Sequence, residues 1–137
     1  MMNELKLQAR IVKDVKTKGG FSFKMANRHQ GGIPDLLVKL PLFPIALIEC
    51  KLNKLKLTGL QRETLSRLHM AGSHAGWLVC QTEGRIYNMF IGADPHASNC
   101  IATENCSMIS VSGKEWEIGE IIKAIVYWSD REFEYHK

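Results

Sequence analysis

Apolar and polar residues follow two different periods along this chain, which predicts a mixture of helices and strands. In residues 3–17 apolar side chains such as Leu7, Ile11 and Val15 recur about one helical turn apart, as on a helix with one buried face. Other segments are short and apolar and are bounded by glycine or proline, which is typical of strands. The predicted helices cover residues 3–17, 58–71 and 115–128, and the predicted strands cover 20–25, 34–40, 44–52, 75–81 and 85–91.

The order of these elements predicts an α/β fold with a central mixed β-sheet flanked by helices. A length of 137 residues suits one compact domain, so residues 1–137 are predicted to form a single domain. Residues 92–110 show no clear period and are predicted to form an irregular surface segment. The charged start of the chain is unlike a secretory signal, and the apolar runs are too short to cross a membrane, which predicts a cytoplasmic protein without membrane contact.

Charged residues interrupt the two most apolar strand candidates. Asp35 opens the second predicted strand, and Glu49 and Lys51 lie near the end of the third. Residues two apart in a strand share one face, and an antiparallel pairing of the two strands would bring Asp35 toward Glu49. The alternative interpretation is that Asp35 is a turn residue and that Glu49 and Lys51 form a surface ion pair on an edge strand.

The first interpretation has a chemical consequence. Two carboxylates and the backbone carbonyl of Cys50 would form an oxygen cluster of the kind that binds Mg²⁺. The ammonium group of Lys51 would help to deprotonate a water molecule or stabilise charge that develops on a phosphate. Metal, activated water and lysine together are suited to the hydrolysis of phosphodiester bonds.

Two further polar residues fall on helix faces that are otherwise apolar. Glu4 lies in the apolar sector of the first helix, so it is expected to face a metal, a lysine or a water-filled site. The alternative for Glu4 is exposure at the helix start, where an acid suits the helix dipole. Gln61 lies at the centre of the buried arc of the second helix, but it also matches a capping box with Thr58. The two interpretations of Gln61 are compatible in part.

Taken in order, the segments GGIPDLLV, IECK and LTGLQRETLSRLHMAG resemble the PD-(D/E)-x-K nuclease superfamily, and most closely its VRR-Nuc branch. The resemblance covers roughly residues 4–80 and implies a restriction-endonuclease-like core. It implies that the metal is held by Asp35, Glu49, Glu4 and the Cys50 carbonyl, and that the catalytic residues are Asp35, Glu49, Lys51, Gln61 and Glu4. Cys50 stands where the family pattern has an aliphatic residue, which matters little because only its backbone is required.

The resemblance also implies a function. It predicts a structure-specific DNA endonuclease that depends on Mg²⁺, with Mn²⁺ able to substitute, and that acts as a homodimer on branched DNA such as Holliday junctions. The expected location is the cytoplasm of a bacterial or virus-infected host cell. The alternatives are a nicking, flap or restriction-like DNA nuclease, and a non-catalytic DNA-binding module on the nuclease scaffold.

Basic residues flank the predicted site in the sequence on both sides. The net charge of +4 is a mild excess, which permits a polyanionic partner without requiring one. Phosphate contacts from such residues would position DNA, although a solvated positive surface is the alternative. The residues predicted to contact DNA are Lys24, Arg28, His29, Lys54, Lys56 and Arg62.

The cysteines and the last predicted helix have simpler interpretations. Cys50, Cys80, Cys100 and Cys106 lack metal-binding spacing and are read as buried thiols, with a zinc site formed by His96, Cys100 and Cys106 as a less favoured alternative. The apolar face of the last helix predicts core packing, with a dimer contact as the alternative. That face consists of Ile118, Ile121, Ile122, Ile125 and Trp128.

Overall fold

The structure of the protein is a computed structural model, which describes residues 2–25, 31–83, 86–96, 107–112, 119 and 121–123. Two helices and six strands have defined bounds within these residues. They are α1 (Glu4–Thr17), β1 (Phe21–Lys24), β2 (Leu36–Lys39), β3 (Ala46–Leu52), α2 (Gly59–Met70), β4 (His74–Glu83), β5 (Ile86–Gly92) and β6 (Ser107–Ser112). Except for β6, each lies where the sequence pattern predicts an element of its type.

The strands form one six-stranded sheet in the order β1-β2-β3-β4-β5-β6. β3 and β4 pair in parallel, whereas the other neighbouring strands pair antiparallel. Helix α2 connects the two parallel strands, since a parallel pair needs a long crossover and cannot be joined by a tight turn. The structure therefore confirms the predicted α/β fold with a mixed sheet and flanking helices.

Helix α1 packs on one face of the sheet. Its stripe of Leu7, Ile11 and Val15 is fully buried against strand residues that point to this face, including Ile48 and Leu78. Each large apolar side chain buried in this way stabilises the fold by about 1.5–3 kcal/mol. This face is therefore a continuous apolar layer across β2, β3, β4 and β5.

The opposite face carries a second apolar cluster. Leu65 of α2 packs there with Trp77 and Val79 of β4, and Leu55 and Leu57 of the connection before α2 complete the layer. This cluster lies over the middle of the sheet, and the β1 end of the same face carries exposed side chains at Phe21 and Phe23. Helix α2 therefore covers only part of this face of the sheet.

One sequence prediction is wrong and others extend beyond the described residues. Residues 107–110, the end of the segment 92–110 predicted to be irregular, belong to β6, which forms by pairing with β5 and so depends on a partner distant in sequence. Residues 119 and 121–123 are helical, and Ile121 and Ile122 are buried in the α1 cluster, as core packing predicts. Ile118, Ile125 and Trp128 lie outside the described residues.

The cysteines that the structure describes agree with the sequence prediction. Cys50 and Cys80 are buried free thiols, as predicted. Cys100 and Cys106 lie outside the described residues, and so does the alternative zinc site that needs both of them. Within the part of the chain that the structure describes, no helix combines the length and the apolar character that crossing a membrane requires.

Candidate functional site

The register of β2 and β3 brings the predicted acids together. Leu36 pairs with Ile48 in the antiparallel ladder, so the next step places Asp35 beside Glu49. Because side chains alternate between the faces of a strand, Asp35, Glu49 and Lys51 share the face on which α2 packs. The structure therefore assembles at one end of β2 the three residues that the sequence pattern singled out.

Asp35 is attached to the neighbouring strand by its side chain. Its Oδ2 atom accepts a hydrogen bond of 2.9 Å from the backbone N–H of Cys50. The N–H and C=O groups of one strand residue point to the same side of that strand, so the Cys50 carbonyl faces the side on which Asp35 lies. This bond continues the contact between β2 and β3 beyond their last ladder pair.

Glu49 is the most buried member of the cluster, with 3% of its surface exposed. Its Oε1 atom accepts a hydrogen bond of 2.9 Å from Gln61 Nε2 and lies 3.7 Å from the ammonium nitrogen of Lys51. Its Oε2 atom is buried and, among the described residues, receives no hydrogen bond. Because β3 lies between β2 and β4, the alternative of a surface ion pair on an edge strand is wrong.

The surroundings of Glu49 oppose its ionisation. Burial, followed by the negative charge of Asp35, raises the pKa of Glu49 to about 8, although the charge of Lys51 acts in the opposite direction. A side-chain hydrogen bond with Asp35 and the charge of Glu4 raise this pKa further. Burial and a neighbouring negative charge both favour the neutral form of Glu49, whereas a cation between the two carboxylates would favour its ionised form.

Gln61 combines the two roles that the sequence left open. Its backbone N–H donates to Thr58 Oγ1 and its Oε1 atom accepts from the Thr58 backbone N–H, which completes a capping box at the start of α2. The remaining amide nitrogen donates to Glu49. The capping box therefore fixes the side chain that holds Glu49 in place.

Gly32 brings the loop before Asp35 against the start of α2. Its φ of +92° is a conformation that favours glycine, and an added β-carbon would lie 2.8 Å from the carbonyl atoms of Leu60. The loop and the helix can therefore approach this closely only without a side chain at this position. This contact was not predicted from the sequence, although the two glycines shortly before Pro34 are a signal for a close approach of the backbone to another element.

The cluster fits one class of metal ion. Within the described residues, no group of three carboxylate, imidazole or thiol side chains is placed to hold a metal. Mg²⁺ does not need one, because it keeps several water ligands and is bound by one or two carboxylates with a substrate phosphate. Asp35, Glu49 with its unbonded Oε2 atom, and the Cys50 carbonyl supply such a set.

Glu4 stands apart from this set. It is exposed in the first turn of α1, which favours the alternative of a solvent-facing acid at the helix start. Its charge still raises the pKa of Glu49, so it contributes to the electrostatics of the site. A role for Glu4 in holding the metal remains a prediction.

The predicted DNA-contacting residues are only partly described. Lys24, Lys54 and Lys56 are exposed, and Lys24 pairs with Leu36, the neighbour of Asp35. Arg62 of α2 is half-buried, and its Nε atom has no hydrogen-bond partner among the described residues. Arg28 and His29 lie outside the described residues. The exposed lysines are available to a polyanion.

Together the fold and the cluster define a mixed α/β fold whose acid pair and lysine are suited to phosphodiester hydrolysis. No protein-family model matches the chain. It is similar to a protein of Acyrthosiphon pisum secondary endosymbiont phage 1 named "Putative nuclease p44", with 32% identity over 72 residues, which are 53% of this chain and 77% of that protein. The chain belongs to the family of this phage nuclease.

Proposed function

We propose that the protein is a metal-dependent DNA endonuclease whose metal site is formed by Asp35, Glu49 and the Cys50 carbonyl. The observation that carries this proposal is the proximity of two carboxylates where burial, followed by the charge of Asp35, raises the pKa of Glu49 to about 8 and where Glu49 Oε2 has no hydrogen-bond partner among the described residues. A divalent cation between the two carboxylates would offset their negative charges. The relationship to a phage nuclease supports the same class of reaction.

Each residue of the cluster has a distinct part in this proposal. When bound, Mg²⁺ or Mn²⁺ would neutralise the scissile phosphate and lower the pKa of a bound water. Lys51, whose ammonium nitrogen lies 3.7 Å from Glu49 Oε1, would hold the attacking water or stabilise charge on the phosphate. Gln61 positions Glu49 through its hydrogen bond, and Glu4 would add negative potential from the start of α1.

The proposed substrate is branched DNA, with the Holliday junction as the preferred form, and the proposed active species is a homodimer. Support comes from the sequence resemblance to the VRR-Nuc branch and from the exposed lysines Lys24, Lys54 and Lys56. A two-fold dimer would place two such sites on the two strands of a symmetric junction. The proposed location is the cytoplasm of a bacterial or virus-infected host cell.

A cleavage assay on a panel of DNA substrates tests the proposal. Wild-type protein with Mg²⁺ is expected to nick a four-way junction in preference to a linear duplex of the same sequence. Asp35→Asn and Lys51→Ala are each expected to reduce cleavage at least about a hundredfold, because the first removes a proposed metal ligand and the second removes a positive charge proposed to act on the phosphate or the attacking water. Glu63→Gln is the matched control, since Glu63 forms an exposed ion pair with Arg67 on α2.

The outcomes of this assay separate the alternatives. Equal cleavage of linear and branched DNA would exclude the junction preference and leave the nuclease activity. Binding without cleavage, with Mg²⁺ and with Mn²⁺, would contradict the enzymatic proposal and favour a DNA-binding module. Sedimentation that detects only monomer at assay concentrations would contradict the dimer.

A further inference from the structure

Two aromatic side chains are exposed on the edge strand nearest the candidate site. Phe21 is 60% exposed and Phe23 is 43% exposed, although both belong to β1. Their rings pack edge to face, with centroids 5.6 Å apart. An exposed aromatic pair on an edge strand has no role in the apolar core, so its position relative to the site is informative.

The register places this pair on the same face of the sheet as the acids. Phe23 pairs with Leu37, which lies two residues after Asp35 and therefore points to the same face. Diagonal neighbours of this kind have Cα atoms about 7–8 Å apart, within reach of an aromatic side chain. Phe23 therefore lies diagonally beside Asp35 on this face, and Phe21 lies two residues further along the same edge strand.

A basic groove lies on the opposite face of the same edge strand, the face on which α1 packs. It runs between α1 and β1, has a volume of about 640 Å³ and includes Lys13, Lys16 and Lys24 in its lining. Lys13 and Lys16 lie about one helical turn apart on α1, and all three lysines are exposed. The apolar part of the lining includes Ala9 and Val12, so positive charge surrounds an apolar floor.

The chemistry of these two features identifies one occupant. Aromatic faces bind unpaired bases by stacking, and lysines bind the phosphates of the same strand. Stacking needs a base whose face is not already covered by its neighbours in a duplex, so the aromatic pair fits a single strand. A single strand has both the charge and the exposed bases that this edge of the molecule would complement.

We propose that a single-stranded segment of the DNA substrate leaves the candidate site across Phe23 and Phe21, with its bases stacked on their rings, and continues along the lysine groove. This inference rests on the proposed nuclease function, and it adds that this edge binds a strand that is unpaired next to the cleaved bond, as at an opened branch point or a flap. Phe21 and Phe23 would then be specificity-determining residues that take no part in the chemistry.

Binding measurements in an Asp35→Asn background test this proposal without cleavage of the DNA. Two probes are used, a blunt duplex and the same duplex with a single-stranded extension that carries 2-aminopurine. Phe23→Leu retains an apolar side chain but removes the aromatic ring. It is expected to weaken binding of the extended probe at least about fivefold and to reduce quenching of 2-aminopurine. Binding of the blunt duplex is expected to be unchanged.

Two control variants complete the experiment. Ile86→Ala removes a similarly exposed apolar side chain, 47% exposed at the start of β5, and is expected to leave binding of both probes unchanged. Lys13→Gln is expected to lower the dependence of binding on salt concentration for the extended probe, because one phosphate contact is lost. Lys123→Gln, an exposed lysine outside the groove, serves as its charge-matched control.

Three results would overturn the inference. The first is an equal loss of binding affinity for both probes with Phe23→Leu, and the second is no loss of affinity for either probe. The third is conversion of a dimer to a monomer together with loss of affinity for both probes, which would make the aromatic pair a contact between two copies of the chain. The proposed function is judged separately by cleavage with the wild-type protein. Cleavage that proceeds while Phe23→Leu has no effect on either probe would refute only the inference drawn here.

Discussion

The two faces of the sheet follow the same alternation of side chains but carry different chemistry. On the α1 face, β3 contributes Ala46, Ile48 and Cys50, which are buried in one apolar cluster. On the α2 face the same strand contributes Lys51 and Glu49, which is buried with one oxygen that has no hydrogen-bond partner among the described residues. Burying a charge without full compensation costs stability, so the α1 face stabilises the fold and this end of the α2 face opposes that stabilisation.

The largest effect on stability is expected on the α1 face. Ile48→Ala removes a fully buried side chain from the layer between α1 and β3. The free energy of unfolding is expected to fall by about 2–5 kcal/mol, because a cavity adds to the lost apolar burial. Urea denaturation at several pH values would measure this loss, and it is expected to be the same at each pH. A loss that varies strongly with pH would contradict the assignment of this face to folding alone.

A smaller effect of opposite sign is expected from Glu49→Gln on the α2 face. The pKa of Glu49 is raised to about 8 in the folded protein, so between its ordinary value and 8 the folded state binds more protons than the unfolded state. Wild-type stability without metal therefore falls as pH rises through this window. Relative to wild type, Glu49→Gln is expected to gain on the order of 1–3 kcal/mol at pH 9 and nothing near pH 4.

Urea denaturation in EDTA at these two pH values measures the difference. Glu63→Gln is the control, because Glu63 is exposed in an ion pair with Arg67, and its effect is expected to stay below about 1 kcal/mol at either pH. A difference between wild type and Glu49→Gln that is the same at both pH values would show that the buried carboxyl does not oppose its own ionisation. The two faces would then differ less than the structure indicates.

Local patterns were sufficient to predict most of the fold. The period of α1, the Thr58 and Gln61 capping box and the apolar runs of β2 to β5 are properties of short segments, and the structure has these elements close to the predicted bounds. β6 was missed because its strand depends on pairing with β5, which no short segment encodes. The apolar pattern therefore lacked mainly the information about which segments, distant in sequence, pair with each other as strands.

The same distinction applies to the candidate site. The proximity of Asp35, Glu49 and Lys51 follows from alternation and a short turn, so the sequence contained it. The bond from Cys50 N–H to Asp35 and the close approach of Gly32 to Leu60 depend on tertiary packing. Glu4 shows the limit of a helical wheel, because residues in the first turn are exposed even when they align with the buried stripe.

The central claim is that Asp35 and Glu49 jointly hold a divalent cation, and thermal unfolding with and without Mn²⁺ tests it most directly. A cation that binds only the folded state stabilises it by about 2.7 kcal/mol at a hundred times its dissociation constant. We expect Mn²⁺ to raise the unfolding temperature of the wild-type protein, and we expect this increase to vanish in Asp35→Asn and in Glu49→Gln. No increase in the wild-type protein, or an equal increase in all three proteins, would contradict the claim.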